Sequence, residues 1–234
     1  MKRQTFFIGA VFTAVLALTT TGCSVQPQQP INLSNNFWQA PNKSVGIVMA
    51  PLPTIDTYEI GADCLLCLAT VAAANSSLTA HVTTLSDDNL PALKNDLAKK
   101  LEARGITSKV IDEPFDIKAL TDSSSTAPNA AKKDYSSFKA KYHVNQLLVV
   151  QVNVLGTFRT YASYVPTSDP KGAFNGVAYM VNLDDNTYSW YMPIDIQQSA
   201  GTTWDEPPKF PGITNAYYQA LATGKDTIIK AFTP

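Results

Sequence analysis

Residues 146–155 form the segment that most constrains the fold. They read Gln-Leu-Leu-Val-Val-Gln-Val-Asn-Val-Leu, a β-branched run in which both faces of an extended strand are largely apolar at its start. A strand with this pattern is buried on both sides and lies inside a sheet rather than at its edge. It can extend past Gly156 to Tyr164. The sequence therefore predicts a sheet built around this strand.

Other segments supply the remaining strands and the helices that pack on the sheet. Pro51 and Pro53 end the first strand, and Pro193 places the last strand at a sheet edge. Gly105 ends a leucine-striped helix, and Gly224 is a candidate break in the last helix. Strands are predicted at 44–50, 106–111, 174–183 and 188–196, and helices at 63–85, 89–104, 134–142 and 213–232. The expected class is α/β (α+β), a mixed, mainly antiparallel sheet of about five strands with helices packed against it.

The segment 63–85 is the unusual element. Apolar residues recur at spacings of four and three, as along one face of an amphipathic helix: Cys67, Val71, Ala74, Leu78, Val82 and Leu85. We expect this stripe to cover one face of the sheet. The opposite face is small and almost uncharged, so it is expected to be covered as well, by this domain or by a partner. Ala69, Ala73 and Ser76 on that face are candidate interaction residues, because small side chains allow close backbone approach.

The first two dozen residues have the layout of a secretory signal peptide. Lys2 and Arg3 precede an apolar run of 13 residues, 6–18, and small residues then lead to Cys23. The run is shorter than the roughly 20 helical residues that cross a bilayer. It is therefore interpreted as a cleaved leader and not as a permanent membrane helix.

The end of the leader resembles the lipobox of bacterial lipoproteins. Gly22 and Cys23 match that motif, and Thr20 stands where the family usually has Leu. The resemblance implies that Cys23 carries diacylglycerol on its sulfur, becomes the first residue after cleavage, and anchors the chain in a membrane. Ser24, rather than Asp, follows the cysteine, which by the same resemblance implies an outer-membrane lipoprotein facing the periplasm. An ordinary secretory leader with an incidental cysteine is the alternative.

Length and charge bound the rest of the chain. Removing the leader, 1–22, from 234 residues leaves 212, which suits one domain. The polar segment 23–43 is predicted to be a tether, with Phe37 and Trp38 docked on the domain. Residues 44–234 then form a single α/β domain that includes the helical segment 61–85. The mature charge of −3, from 16 basic and 19 acidic side chains, gives no basic patch for nucleic acid.

The element order resembles the periplasmic α/β domain of the TolB amino-terminal type. The same domain type occurs in the curli-secretion lipoprotein and in lipoprotein activators of penicillin-binding proteins. The matching features are a strand ending in Pro51, a leucine-striped helix ending in Gly105, and a hairpin in which 181–184 precedes Tyr188-Ser189-Trp190. The segment 61–85 departs from the pattern. These families bind and assemble with other proteins, so the resemblance implies an interaction role.

Cys64 and Cys67 have the Cys-x-x-Cys spacing. Thiols of an exported protein tend to pair, so a local disulfide is one interpretation. Two buried cysteines are another. A redox dithiol is the third, because a helix N-terminus lowers a thiol pKa. The apolar Leu-Leu between the two cysteines weighs against redox chemistry.

Other chemistry is sparse. The two histidines, His81 and His143, lie far apart, and the sequence contains no metal-ligand spacing, nucleophile elbow, phosphate loop or dinucleotide fingerprint. We expect no metal, no cofactor and no enzyme activity. Aromatic residues cluster late in the chain, and Trp204 and Tyr218 are the expected exposed members.

The sequence as a whole favours a membrane-anchored interaction module. Its expected partner is another envelope protein or a second copy of the chain. The alternatives are a thiol-redox module that uses Cys64 and Cys67, and a lipoprotein that binds a small ligand or glycan through the late aromatic residues.

The Cys23→Ser substitution tests the anchor. It removes the thiol that acylation requires, and each buried CH₂ of an acyl chain contributes about 0.8 kcal/mol to membrane binding. We expect the variant to appear in the soluble fraction or to remain as uncut precursor, as measured by cell fractionation and intact mass. Ser24→Ala, which keeps the cysteine, is the control. Normal processing with full membrane retention of Cys23→Ser would contradict acylation.

Overall fold

The longest strand is the one that the apolar run predicts. The computed structural model describes residues 27–39, 43–201 and 203–233. The helices are α1 (Asn35–Gln39), α2 (Leu65–Ala74), α3 (Ser76–Val82), α4 (Leu93–Glu102), α5 (Ser137–Tyr142) and α6 (Pro211–Lys230). The strands are β1 (Ser44–Met49), β2 (Asp56–Ile60), β3 (Thr107–Val110), β4 (Gln146–Ala162), β5 (Val165–Pro166), β6 (Lys171–Asn182) and β7 (Thr187–Ser199).

The strands form a mixed sheet of seven strands in the order β3-β1-β4-β6-β7, with β2 and β5 also paired to β4. The pairings of β1 with β3, and of β4 with β1 and β2, are parallel. The longest pairings, β4 with β6 and β6 with β7, are antiparallel. The mixed α/β class is therefore confirmed. The described sheet has seven strands where about five were expected. The two additional strands are β2 and the short β5, which the sequence patterns did not predict.

The strands β1 and β2 lie one after the other along the same edge of β4. Val45 is paired with Gln146, and Asp56 is paired with Gly156. Gly156 has a φ of +133°, and a Cβ there would lie 1.9 Å from the backbone oxygen of Asp56. Only glycine allows this close approach of the two backbones. The sequence of β2, Asp-Thr-Tyr-Glu-Ile, shows no clean apolar alternation, which is why its pattern does not predict a strand.

The sheet is buried on both faces, as the pattern of β4 predicts. Leu148, Val150 and Val152 belong to the larger core cluster, together with residues of α4 and α6. Leu147 and Val149 belong to the cluster on the other face, which α5 and the segment 111–135 help to build. Since side chains alternate along a strand, β4 contributes to both cores in turn.

Most of the features predicted for α4 and α6 are confirmed. The leucine stripe is buried, and it consists of Leu90, Leu93, Leu97 and Leu101. Gly105 follows α4 with a φ of +77°. The expected break at Gly224 is wrong, because α6 is continuous from Pro211 to Lys230. A Cβ at Gly224 would lie 2.6 Å from the ring of Phe174, so this glycine lets the helix pack closely on the sheet.

The described part of the predicted tether lies against the domain. Phe37 in α1 is 6% exposed and belongs to the larger core cluster. The guanidinium of Arg104 lies 3.4 Å from the ring centroid of Trp38. Ile31 forms a β-bridge with Tyr191. The prediction that Phe37 and Trp38 dock on the domain is confirmed, while residues 23–26 and 40–42 lie outside the described residues.

The single helix predicted over 63–85 is wrong. The segment folds as α2 and α3, which are bent by 70° relative to each other. Asn75 stands at the corner with non-helical dihedral angles of −95° and 5°. Cys67, Val71, Leu78 and Val82 are buried as the stripe predicts, but Ala74 is exposed, and Asn75 occupies the buried position beside it.

The Val150→Asp substitution tests the central position of β4. Val150 is 1% exposed, and an unpaired buried carboxylate costs several kcal/mol against a total stability of about 5–15 kcal/mol. We expect the variant to unfold, as measured by circular dichroism and thermal melting. The matched control is Asn153→Asp, which places the same group at an exposed position of β4. An unchanged melting temperature for Val150→Asp would contradict the role assigned to β4.

Candidate interaction surface around the cysteine pair

Cys64 and Cys67 are joined by a disulfide at the start of α2. Cys64 is the N-cap residue, and its sulfur accepts a hydrogen bond of 2.9 Å from the backbone N–H of Cys67. Cys67 packs in a small cluster with Ala62, Val71 and Tyr161. The disulfide therefore fixes the first turn of α2 and turns one side of that helix toward the end of β4.

The outward side of α2 is apolar and exposed. Leu65 is 88% exposed, Leu66 is 78% exposed and Leu68 is 43% exposed. The sequence-predicted interaction residues Ala69, Ala73 and Ser76 are exposed on the same segment. The helix Leu-Leu-Cys-Leu-Ala-Thr-Val-Ala-Ala-Ala contains no charged residue. A helix that is apolar all round is normally covered on all sides.

Leu65, Leu66, Ala69 and Ala73 form what we call the outward face of α2. At 100° per residue they lie roughly opposite the buried Cys67 and Val71. The two alanines are among the interaction residues predicted from the sequence, and the two leucines are not. The signal for them was present, because the inward stripe that begins at Cys67 leaves the preceding Leu-Leu pair on the outer side.

Further exposed apolar residues lie at the same end of the molecule. Ile60 at the end of β2 is 53% exposed. Tyr164 and Val165, at the tip of the β4–β5 hairpin, are 62% and 53% exposed. The backbone N–H of Ser163 donates to the carbonyl of Gly61 at 3.2 Å, so the hairpin tip lies beside the link between β2 and α2. Large exposed apolar patches on a folded protein mark interaction sites more often than ordinary surface.

A buried polar network holds the corner between α2 and α3. The side-chain amide of Asn75 donates to Glu59 at 2.7 Å and to the hydroxyl of Tyr161 at 2.5 Å. Its carbonyl oxygen accepts from the guanidinium of Arg159 at 3.1 Å. Asn75 is 2% exposed, and its amide is bonded on both sides. The network thus ties α2 and α3 to both β2 and β4.

Trp204 and Tyr218 do not join the outward face of α2. Both are half-buried, which differs from the exposure expected of them. Trp204 stacks on Phe210 with ring centroids 6.2 Å apart, and the guanidinium of Arg159 lies 4.9 Å from its ring. The hydroxyl of Tyr218 accepts from the backbone N–H of Ser86 at 3.3 Å. Trp204 supports the Asn75 corner through Arg159, and Tyr218 helps hold α6 against the segment after α3.

The histidines have structural partners. The Nε2 atom of His81 is 2.7 Å from the hydroxyl of Thr214, and its ring lies 5.6 Å from that of Phe210. Desolvation by burial, reinforced by the charge of Lys209, lowers the pKa of His81. His143 ends α5 with a φ of +58°. These contacts agree with the interpretation of His81 as a hydrogen-bonded structural histidine.

Most of the late aromatic residues lie in the cores. Tyr179, Trp190 and Tyr217 are buried. The hydroxyls of Tyr135 and Tyr179 are 2.7 Å apart, and burial raises the pKa of Tyr135 to about 12. Both phenols are therefore neutral near pH 7.

Two further features bear on membranes and metals. Within 27–39, 43–201 and 203–233, there is no group of three or more His, Cys, Asp or Glu residues placed to hold a metal ion. In the same residues no single helix is long and apolar enough to cross a membrane. The bent pair α2 and α3 meets that test by length and composition only.

The Asn75→Ala substitution tests the corner network. Removing the amide deletes the hydrogen bonds to the buried Tyr161 and to the half-buried Glu59 and Arg159, which costs about 1–3 kcal/mol. We expect a lower free energy of unfolding in chemical denaturation. Relative to wild type, amide hydrogen exchange should become faster in α2 and α3, with a smaller change in α4. Ser76→Ala, at the exposed neighbouring position, is the control. Equal exchange in Asn75→Ala and wild type would show that the network does not hold the corner.

Comparisons with known proteins give a broad structural similarity only. No protein-family model matches the chain. A search of curated proteins finds no match either.

Similar solved structures include a PelC dodecamer from Paraburkholderia phytofirmans, with 11% identity, coverage of 79% of this chain and 87% of that one, and a TM-score of 0.28. Lipoprotein GNA1162 from Neisseria meningitidis has 12% identity, coverage of 77% and 96%, and a TM-score of 0.27. The hypothetical protein CT253 from Chlamydia trachomatis has 9% identity, coverage of 79% and 96%, and a TM-score of 0.30. Identities and TM-scores this low do not assign the chain to the family of any of these proteins.

Proposed function

We propose that this protein is a lipid-anchored protein of the bacterial cell envelope that binds another protein through the outward face of α2, without catalysis. The observation that carries the proposal is the exposure of Leu65 and Leu66, 88% and 78%, on a helix without charged residues. Fully burying a leucine contributes about 1.5–3 kcal/mol. A partner that covers this face therefore gains substantial free energy from a few side chains.

The position of the proposed anchor favours a protein, and not the membrane that holds the anchor, as the partner of the outward face of α2. Gln28 donates to Asn129 at 3.4 Å, and the carbonyl of Asn129 accepts from the N–H of Tyr188. Tyr188 and Leu147 are both paired with Val181, so Tyr188 lies beside the beginning of β4 in the sheet. α2 lies near the other end of β4, where Cys67 and Val71 pack with Tyr161. Leu147 and Tyr161 are 14 residues apart in β4, which corresponds to about 46 Å at roughly 3.3 Å per residue.

The reach of the chain before Pro27 is short compared with that distance. Cys23 precedes Pro27 by four residues, which span at most about 14 Å. An acylated Cys23 would therefore hold the opposite end of the sheet close to the membrane. In that arrangement the outward face of α2 is free to meet a protein, and an outer-membrane lipoprotein facing the periplasm would present it to other envelope proteins.

A second candidate function is thiol exchange at Cys64 and Cys67. The disulfide lies at the N-terminus of α2, where the helix dipole favours a thiolate on reduction. Thiol titration of the full chain distinguishes this candidate from the first. A low thiol pKa with reversible oxidation would support thiol exchange, and a pair with an ordinary pKa would support a structural disulfide.

The Ala73→Arg substitution tests the proposed interface. A bulky charge on the outward face should leave folding unchanged, because Ala73 is exposed, and should abolish association, because the charge would have to be desolvated. We expect an unchanged melting temperature and loss of the partners that cross-linking and affinity capture recover from intact envelopes. The control is Ala103→Arg, at an exposed alanine after α4. Recovery of the same partners by Ala73→Arg and wild type would place the interface elsewhere.

A further inference from the structure

The outward face of α2 has a size gradient along the helix. The two leucines lie in the first turn, and Ala69 and Ala73 follow toward the C-terminal end. Leu65 and Leu66 project far into solvent, while the alanine positions leave the backbone accessible. Large side chains therefore project from the N-terminal half of this face, and small side chains from its C-terminal half.

This gradient makes the face complementary to itself. We propose that the partner of the outward face of α2 is the same face on a second copy of the chain, packed antiparallel about a two-fold axis beside Ala69. The proposal rests on the proposed function, which places the protein's interface on this face. In an antiparallel pair Leu65 of each copy lies over Ala73 of the other, so that large side chains meet small ones. A contact between identical patches closes as a dimer.

Charge favours the antiparallel arrangement over the parallel one. Asp63 is exposed just before the N-terminus of α2. Parallel packing would bring the two Asp63 carboxylates and the two helix dipoles side by side with the same direction. Antiparallel packing opposes the dipoles and separates the carboxylates by about 18 Å along the helix, because Asp63 lies six residues before Ala69 on each copy and the rise is 1.5 Å per residue.

The exposed area is suited to a dimer that depends on the anchor. A stable interface takes about 800 Å² from each partner, and one short helix supplies only part of that. Ile60, Tyr164 and Val165 add exposed apolar surface at the same end of the molecule. Anchoring both copies in one membrane raises their effective concentration, so a modest interface is sufficient.

Thiol-specific cross-linking of the full-length protein in intact envelopes tests the proposal. The reagent is a short bis-maleimide, which leaves the Cys64–Cys67 disulfide untouched. The Ala69→Cys variant should cross-link to itself, because Ala69 lies beside the axis. Leu65→Cys and Ala73→Cys should cross-link when they are produced together, and much less when either is produced alone. We expect the dimer band to exceed that of Ala103→Cys by on the order of tenfold, and wild type reports any background from Cys23.

A second pair with the same symmetry guards against a variant that fails to accumulate. Leu66→Cys and Ala72→Cys are equally spaced about Ala69, and both positions are exposed. This pair should also cross-link only when the two variants are produced together.

Each contrary outcome has a distinct meaning. An adduct with a different protein would overturn the second copy as partner and leave the proposed function standing. Strong self-cross-linking of Leu65→Cys would overturn the antiparallel arrangement. Maleimide labelling of all variants without a dimer band would overturn the second copy as partner. The proposed function is overturned only if Ala73→Arg also recovers the same envelope partners as wild type.

Discussion

The structure depends on the simultaneous burial of both faces of β4. Leu148 and Val150 face the core under α4 and α6, while Leu147 and Val149 face the core under α5. The same strand is paired on one edge with β1 and β2 and on the other with β6. Because β4 is longer than either parallel neighbour, its second half extends beyond β1, and β2 continues the pairing there. The outlying position of α2 follows from this length.

The corner at Asn75 determines how α2 is presented. The amide of Asn75 bonds to Glu59 in β2 and to Tyr161 and Arg159 in β4. A straight helix through 63–85 would carry Asn75 away from these partners and leave buried polar groups unsatisfied. Bending satisfies them and places α3 against α6, where Leu78 and Val82 pack on Ile213. Cys67 and Val71 are the buried residues of α2, and its outer side remains uncovered.

Sequence patterns predicted the elements whose periodicity is strong and failed where tertiary contacts decide. The two-faced pattern of β4 and the stripe from Leu90 to Leu101 were sufficient, because each reports burial directly. The corner at Asn75 could not be predicted, because it depends on hydrogen bonds to other elements. Glu59 lies in β2, and Arg159 lies in β4, 84 residues later in the chain. β2 was missed because its pairing is made possible by Gly156, 100 residues later in the Asp56–Gly156 register. The exposure of Leu65 and Leu66 follows from the same corner, and only part of the outward face was therefore anticipated.

The rigidity of this surface bears on how strongly it can bind. An apolar helix on a flexible linker could turn its leucines inward, and ordering it on binding would cost free energy. Here the disulfide fixes the first turn of α2, and the hydrogen bonds of Asn75 fix the residue that follows its last turn. Folding of the domain has therefore already ordered the backbone of α2 before any partner arrives. The hydrophobic free energy of Leu65 and Leu66 remains available for association, and even a small contact area on this face can be effective when an anchor keeps the partners close.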